Sequence, residues 1–158
     1  MEDAERTQLR TVADYQFRAG AGAALFPADE AYDVDRSKSG RPRQVSTRAG
    51  RRLVSFGTDG RFTLGLAGGE RLLDALEAPA CRVVVGDESE PFVRDGKNVF
   101  AKFVSAVDPA VRPDDEVVVV HEDGHAIAVG RTELDAEAIH DFDTGMAVKV
   151  REGAGTPE

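Results

Sequence analysis

The sequence predicts an α+β fold, in which a small α+β module is followed by a mostly antiparallel β barrel with short helices. Apolar residues recur at helical spacing near the start of the chain, whereas the later apolar runs are short and rich in Val. Turn residues separate these later runs, and many short strands joined by tight turns are typical of a compact barrel or sandwich. The 158 residues are enough for a hydrophobic core.

The first module, residues 1–80, is predicted to have a helix at each end. The first helix covers 3–18 and ends at Gly20-Ala21-Gly22, after which residues 25–27 are expected to be irregular or extended. The second helix covers 67–78, where Gly-Gly precedes an amphipathic pattern. Between the helices we expect three short antiparallel strands, at 43–46, 52–56 and 61–64.

The second module, residues 81–153, is predicted to be the barrel. A helical turn or short helix is expected at 88–93, and a second short helix, which Thr132 can cap, at 135–142. Residues 154–158 are expected to form a flexible tail. The predicted strands are the apolar runs at 82–86, 99–107, 116–121, 125–131 and 145–151.

The amino-acid composition predicts the compartment and the solvent conditions in which the protein is found. The chain has 29 acidic and 20 basic residues, and its preference for Arg over Lys suits a protein kept soluble at high salt. The single Cys81 excludes an internal disulfide and a cysteine-rich zinc site, which favours a reducing compartment. No apolar run approaches the roughly 18–20 residues of a membrane span, and the start MEDAERTQLR is too polar for a signal peptide. The prediction is a soluble cytoplasmic protein with no membrane partner.

Positive charge is concentrated in one segment, residues 36–52, which we call the basic stretch. It contains seven cations and no acid, whereas residues 83–158 carry 7 basic and 17 acidic groups. A segment free of carboxylates in an acidic protein is typical of a site for an anion such as a phosphate backbone. The alternative is a solvated hairpin whose cations pair with acids elsewhere. The seven cations are Arg36, Lys38, Arg41, Arg43, Arg48, Arg51 and Arg52.

A second cationic feature is the charged turn Arg94-Asp95-Gly96-Lys97-Asn98, which leads into the apolar run at 99–104. Gly96 permits a positive φ, so a tight turn is expected, and the apolar run has the composition of a strand. The simpler interpretation is a buried strand after an ordinary turn. The alternative is a cationic entrance that holds a polyanion beside an apolar groove. Phe100 and Phe103 are both expected to lie in the core.

No active site is predicted, and the chain is expected to have no catalytic residue, metal or cofactor. His121 and His125 flank a hairpin turn and His140 lies on a later helix, without a recognisable ligand spacing. The Gly-rich segment 65–69 precedes a helix but lacks the Lys-Ser/Thr pair of a phosphate-binding loop. We therefore expect the histidines to be surface residues on turns.

Several motifs, in this order, resemble the PUA domain, an RNA-binding pseudobarrel, over residues 81 to about 153. They are Gly-Lys-Asn-Val-Phe-Ala-Lys-Phe-Val at 96–104, Arg-Pro-Asp-Asp-Glu-Val at 112–117, Ile-Ala-Val-Gly-Arg at 127–131 and Gly-Met-Ala-Val-Lys-Val-Arg at 145–151. The chain is most similar to the C-terminal end of archaeosine tRNA-guanine transglycosylases. Upstream, Val12-Ala13-Asp14-Tyr15-Gln16-Phe17 resembles the small domain that precedes PUA in those enzymes.

The resemblance implies tRNA binding by a non-catalytic module of tRNA modification, at the acceptor stem and the single-stranded 3′ end. A separately encoded transglycosylase or archaeosine-forming enzyme is the implied partner, and the sequence does not define the oligomeric state. The alternative is a protein-interaction or regulatory domain that docks such an enzyme without binding RNA. The implied RNA-binding residues are Arg94, Gly96, Lys97, Asn98, Lys102 and Arg131, and the basic stretch is the further candidate.

Overall fold

The computed structural model describes residues 1–156, and the chain divides into two compact units. The first unit is Met1–Leu76 and the second begins at Glu77. The first unit is α+β and the second is a nearly closed barrel with short helices, which confirms the predicted fold class. Among the described residues, no helix is long and apolar enough to cross a membrane.

The first unit places three helices beside a four-stranded antiparallel sheet in the order β1-β2-β3-β4. Both end helices and strands β2 to β4 agree with the prediction, whereas β1 and α2 were not predicted. The elements are α1 (Asp3–Gln16), α2 (Ala21–Leu25), β1 (Tyr32–Arg36), β2 (Pro42–Thr47), β3 (Arg52–Phe56), β4 (Phe62–Leu64) and α3 (Leu66–Ala75).

One face of this sheet forms the core of the first unit. Val45 lies opposite Val54 in the ladder and Val54 lies opposite Leu64, and all three side chains are fully buried. The rings of Phe26 and Phe62 meet edge to face at 6.0 Å beside them. Leu53, which precedes Val54 in β3, is also fully buried, so this strand is covered on both faces of the sheet.

Residues 20–27 correct the sequence prediction. Gly20-Ala21-Gly22 was predicted only as the end of the first helix, but Ala21 and Gly22 begin a further helix, α2, which ends at Leu25, the first residue of the segment predicted to be irregular or extended. A Cβ on Gly22 would lie 2.4 Å from the carbonyl oxygen of Arg10, so α1 and α2 approach closely only because this residue has no side chain. The Gly22 amide also donates a 2.7 Å hydrogen bond to Asp14 Oδ1. Gly22 therefore serves helix packing.

The second unit is a six-stranded sheet in the order β6-β10-β9-β8-β5-β7, in which β5 and β8 are parallel and the other described pairs are antiparallel. Its core includes Val side chains of β5 and β8 together with Ile127 and Ala128 of β9. The elements are β5 (Arg82–Val85), α4 (Glu90–Arg94), β6 (Val99–Phe100), β7 (Val104–Val107), β8 (Glu116–His121), β9 (Ala126–Thr132), α5 (Ala136–Asp141) and β10 (Met146–Gly153).

The run at 99–107 is not one strand, as the sequence predicted, but two strands joined by a 3-10 turn at Ala101–Phe103. The reason is topological: β6 pairs with β10 at one end of the strand order, and β7 pairs with β5 at the other. The chain must turn to pass from one end of the sheet to the other, and this crossing brings the barrel close to closure. The amide of buried Ala101 donates a 2.9 Å hydrogen bond to the Gly145 carbonyl at the turn.

Two further expectations concern the end of the chain. The cap of α5 is Asp135, whose Oδ1 accepts a 2.8 Å hydrogen bond from the Ala138 amide, whereas Thr132 belongs to β9. In the expected flexible tail, residues 154–158, the amides of Ala154 and Gly155 donate hydrogen bonds to the carbonyls of Ile127 and Arg94. Residues 157 and 158 of that tail lie outside the described part of the chain.

We expect Gly22→Ala to lower the free energy of unfolding by about 2 kcal/mol, because the added methyl group meets the backbone of Arg10 and not a movable side chain. The matched control is Ala23→Ser, on the exposed side of the same helix, which should change stability by less than about 0.5 kcal/mol. Urea unfolding followed by circular dichroism measures both. Equal stability of the Gly22 variant and the wild type would contradict this account of the α1–α2 contact.

Candidate nucleic-acid interface

An open groove of about 370 Å³ lies between α4 and β6 in the second unit. We call it the aromatic groove, because three phenylalanines contribute to its walls, and Val93 and Val99 add to the apolar lining. One cation and one carboxylate, Lys97 and Glu88, also line it. The lining residues are Glu88, Ser89, Phe92, Val93, Lys97, Asn98, Val99, Phe100 and Phe103.

The turn that closes α4 sets the position of Lys97 at this groove. Gly96 has φ +94°, its amide donates to the Val93 carbonyl, and the Lys97 amide donates to the Phe92 carbonyl, each at 3.0 Å. This pair of bonds is a Schellman motif, which requires the left-handed conformation that Gly adopts at little cost. Gly96 therefore orients the turn, and the exposed Lys97 follows directly after it.

Two of the expected RNA-binding residues have structural partners. Asn98 Oδ1 accepts a 2.9 Å hydrogen bond from the Val150 amide and so joins the turn to β10. The Arg94 side chain is only 15% exposed: its Nε donates to Glu90 at 3.0 Å and one terminal nitrogen donates to the Gly155 carbonyl at 3.1 Å. The structure thus gives both side chains positioning contacts inside the unit.

The aromatic side chains correct the expectation that Phe100 and Phe103 are core residues. Phe100 is 47% exposed and Phe103 is half-buried, and both line the groove. Phe92 on α4 is 63% exposed and was not predicted from the sequence as a site residue. Exposed aromatic faces around an apolar groove are unusual for core residues and typical of a binding surface.

Lys102 and Arg131 differ in their surroundings. Lys102 is exposed in the 3-10 turn, and its Nζ lies 5.0 Å from the centroid of the Phe103 ring, within the range of a cation–π contact. This places a second cation beside the groove lining. Arg131 is not among the lining residues. It lies opposite Lys149 in the β9–β10 ladder, and its Nε is 3.6 Å from Asp114 Oδ1.

The basic stretch of the first unit is mostly paired. Arg36 makes two hydrogen bonds to Glu5, at 2.7 and 2.9 Å, which lower the pKa of the Glu5 carboxyl. Arg48 pairs with Asp33, Arg51 with Glu70, and Arg52 donates to Ser55 Oγ and the Leu64 carbonyl. Within residues 1–156, no ion pair involves the three exposed cations around the β1–β2 turn, which are Lys38, Arg41 and Arg43.

His121 and His125 are not isolated surface residues. They converge with Asp87, Glu90 and Asp123, and we call these five residues the His–carboxylate cluster. The hydrogen bond to Asp87 raises the pKa of His121, and the hydrogen bond from His125 lowers the pKa of Glu90. The sequence indicated only the His-x-Asp-x-His spacing at 121–125, because Asp87 and Glu90 arrive from a loop about 30 residues earlier.

Family models match both halves of the chain. The patch-forming domain C2 of tRNA-guanine transglycosylase matches residues 7–79, and the PUA domain matches residues 81–154. Similar relatives include the tRNA-guanine(15) transglycosylases of Thermococcus kodakarensis and Methanothermobacter thermautotrophicus. They are 46% identical over 149 residues and 42% identical over 156 residues, covering 94% and 97% of this chain. The chain spans only about a quarter of their length, 25% and 23% respectively.

Solved structures agree with the fold. A hypothetical protein of Pyrococcus horikoshii matches with a TM-score of 0.71 at 17% identity, covering 98% of this chain and 92% of that protein. A conserved PUA-domain protein of Thermoplasma acidophilum also matches with a TM-score of 0.71, at 20% identity, covering 99% of this chain and 93% of the other. The chain therefore carries a PUA domain at residues 81–154, preceded at residues 7–79 by a C2 domain of the tRNA-guanine transglycosylase type.

Proposed function

We propose that the protein is an RNA-binding, non-catalytic module of tRNA modification and that the aromatic groove is its RNA-binding site. The observation that carries this proposal is the combination of three accessible phenylalanines with two exposed cations, Lys97 and Lys102. Aromatic side chains stack on unpaired bases, and ammonium groups contact the phosphates between them. A groove with both kinds of group fits single-stranded RNA better than it fits a duplex.

The finer proposal is that the groove receives the single-stranded 3′ end of tRNA while neighbouring residues contact the acceptor stem. The relatives that match nearly the whole chain are named tRNA-guanine(15) transglycosylases, which supports tRNA as the RNA. In this proposal Lys97 and Lys102 contact phosphates, whereas Gly96, Asn98 and Arg94 shape the turn that presents them. Arg131, beside Lys149, is a further candidate contact for the stem.

We also propose that Lys38, Arg41 and Arg43 form a second contact for RNA phosphates in the first unit. These three exposed cations make no ion pair within residues 1–156, whereas Arg36, Arg48 and Arg51 each pair with a carboxylate. The paired arginines would have to give up an acidic partner before they could bind a phosphate, which makes them weaker ligands. A separately encoded transglycosylase or archaeosine-forming enzyme is the proposed partner of the module.

The first experiment is a fluorescence titration with bulk tRNA and with tRNA lacking its single-stranded 3′ end, repeated across a salt series. If the groove takes the 3′ end, the truncated tRNA should bind measurably more weakly at every salt concentration. Equal affinities would contradict recognition of the 3′ end. No binding at any salt by a folded protein would contradict the RNA-binding proposal and favour a domain that docks a partner enzyme.

Lys97→Ala combined with Lys102→Ala should weaken tRNA binding and reduce the slope of log affinity against log salt by about 2, because two phosphate contacts are lost. The matched control is Arg18→Ala combined with Arg112→Ala, which removes the same charge from exposed side chains outside the groove lining. The slope of the control should change less. If both double variants lose affinity equally, the effect comes from net charge and the site is wrong.

Phe92→Ala and Phe100→Ala should each weaken binding of the 3′ end by about 1–3 kcal/mol, the cost of removing one base–aromatic stack. Phe142→Ala is the control, because Phe142 is 50% exposed and does not line the groove. All three variants remove an exposed ring, so stability should change little. Unchanged affinity in both groove variants would exclude stacking in the aromatic groove.

The triple variant Lys38→Ala, Arg41→Ala and Arg43→Ala should weaken binding of intact tRNA without changing the difference between intact and truncated tRNA. The reason is that these residues are proposed to contact the phosphates of the stem and not the 3′ end. Arg48→Ala, which removes a cation already paired with Asp33, should have a smaller effect. A triple variant with wild-type affinity would show that the first unit makes no such contact.

A further inference from the structure

The His–carboxylate cluster brings five ionisable side chains together from two separate segments of the second unit. Asp87 and Glu90 come from the loop after β5 and the first residue of α4, and the other three come from the β8–β9 hairpin. None of these residues lines the aromatic groove, so the proposed RNA-binding function does not account for them. The imidazole of His121 lies at the centre of the cluster and is only 13% exposed.

The Nε2 side of His121 faces two carboxylates. Nε2 lies 2.6 Å from Asp87 Oδ1 and 3.9 Å from Glu90 Oε1, and the three donor atoms are all within 4.8 Å of one another. Donors about 2.0–2.2 Å from a tetrahedral metal ion are separated by roughly 3.4 Å. Asp87, whose side chain is 93% exposed, can make the small adjustment that this spacing requires.

The other two residues of the cluster contact two of these donors: Asp123 contacts His121, and His125 contacts Glu90. Asp123 contacts Nδ1 of His121 in two ways: its amide donates a 3.1 Å hydrogen bond to that nitrogen, and its Oδ1 lies 3.3 Å away. A ring bound through Nε2 carries its proton on Nδ1, so metal binding would replace the bond from the Asp123 amide with one to the Asp123 carboxylate. His125 Nε2 is 2.7 Å from the second oxygen of Glu90, and Arg94 Nε donates to that same oxygen at 3.0 Å. Outer hydrogen bonds of this kind fix the orientation of metal ligands.

We propose that Asp87, Glu90 and Nε2 of His121 form a binding site for a divalent first-row transition metal, with Zn²⁺ as the best fit. One imidazole and two carboxylates supply nitrogen and oxygen donors, a set that suits zinc and its neighbours. Water completes the coordination at the exposed side of Asp87. The metal would join the start of α4 to the end of β8.

The test is a calorimetric titration of the chelator-treated full chain with ZnCl₂ at a pH of about 7.5, because coordination requires a neutral imidazole. We expect one site per chain and a rise in the melting temperature with added zinc, because the metal binds the folded state. Asp87→Asn should weaken zinc binding at least about tenfold. It should leave the fold of the metal-free chain unchanged, since the side chain is exposed. His121→Gln should abolish binding.

The matched control is Glu88→Gln, which removes one carboxylate next to Asp87 and should bind zinc like the wild type. His125→Gln, which removes support for Glu90, should weaken binding less than His121→Gln does. Failure of the wild type to bind zinc would overturn the proposal. Wild-type affinity in Asp87→Asn would also overturn it, because the metal would then lie elsewhere. Both results are independent of tRNA binding, so the two proposals can fail separately.

Discussion

The second unit is governed by the need to connect the two ends of one sheet over a very short distance. Strand β6 pairs with β10 at one end of the order and β7 pairs with β5 at the other, yet only Ala101–Phe103 separate them in sequence. A continuous strand cannot make this crossing. The 3-10 turn directs Val99 and Ala101 into the core and leaves Phe100 and Phe103 accessible. The closure of the barrel thus creates the aromatic wall of the groove.

Residues of the charged turn at 94–98 have different roles in the structure. The Gly96 amide donates a hydrogen bond to a carbonyl of α4, and the Asn98 side chain accepts one from an amide of β10, so both residues stabilise the fold. Lys97, between them, has its amide in the Schellman motif and its side chain exposed. A contiguous motif can therefore combine positioning residues with one contact residue. Substitution of Gly96 or Asn98 would disturb the turn before it revealed anything about a ligand.

The sequence predicted the parts of the fold that depend on local pattern. The helix α1 and the Val-rich strands β5 and β8 agree, because periodicity and continuous β-branched runs determine them directly. The misassigned elements depend on tertiary contacts: Gly22 has the composition of a helix terminator but is fixed by the backbone of Arg10. The run at 99–107 has strand composition throughout and is divided only by the topology of the sheet. No local signal distinguishes these cases.

The candidate sites show the same limit. Lys97 and Lys102 could be selected because charge next to an apolar run is visible in sequence, whereas Phe92 appeared as an ordinary apolar residue of a short helix. The ion pairs of Arg36 with Glu5 and of Arg51 with Glu70 join residues far apart in the chain, so the number of cations left for a ligand could not be counted in advance. Asp87 and Glu90 reach the histidines only through the β5–β8 pairing.

Hydrogen bonds and ion pairs within the protein reduce the number of cations that the proposed RNA site could use for phosphate contacts. Among the described basic residues near the groove, Arg94 donates hydrogen bonds to Glu90 and the Gly155 carbonyl, whereas Lys97 and Lys102 are exposed beside the phenylalanines. With so few phosphate contacts, stacking must provide a large share of the affinity. Stacking is insensitive to ionic strength, whereas at 1 M salt charges are screened within about 3 Å. An acidic protein that binds through aromatic faces can therefore keep its ligand at salt concentrations that would release it from a purely cationic surface.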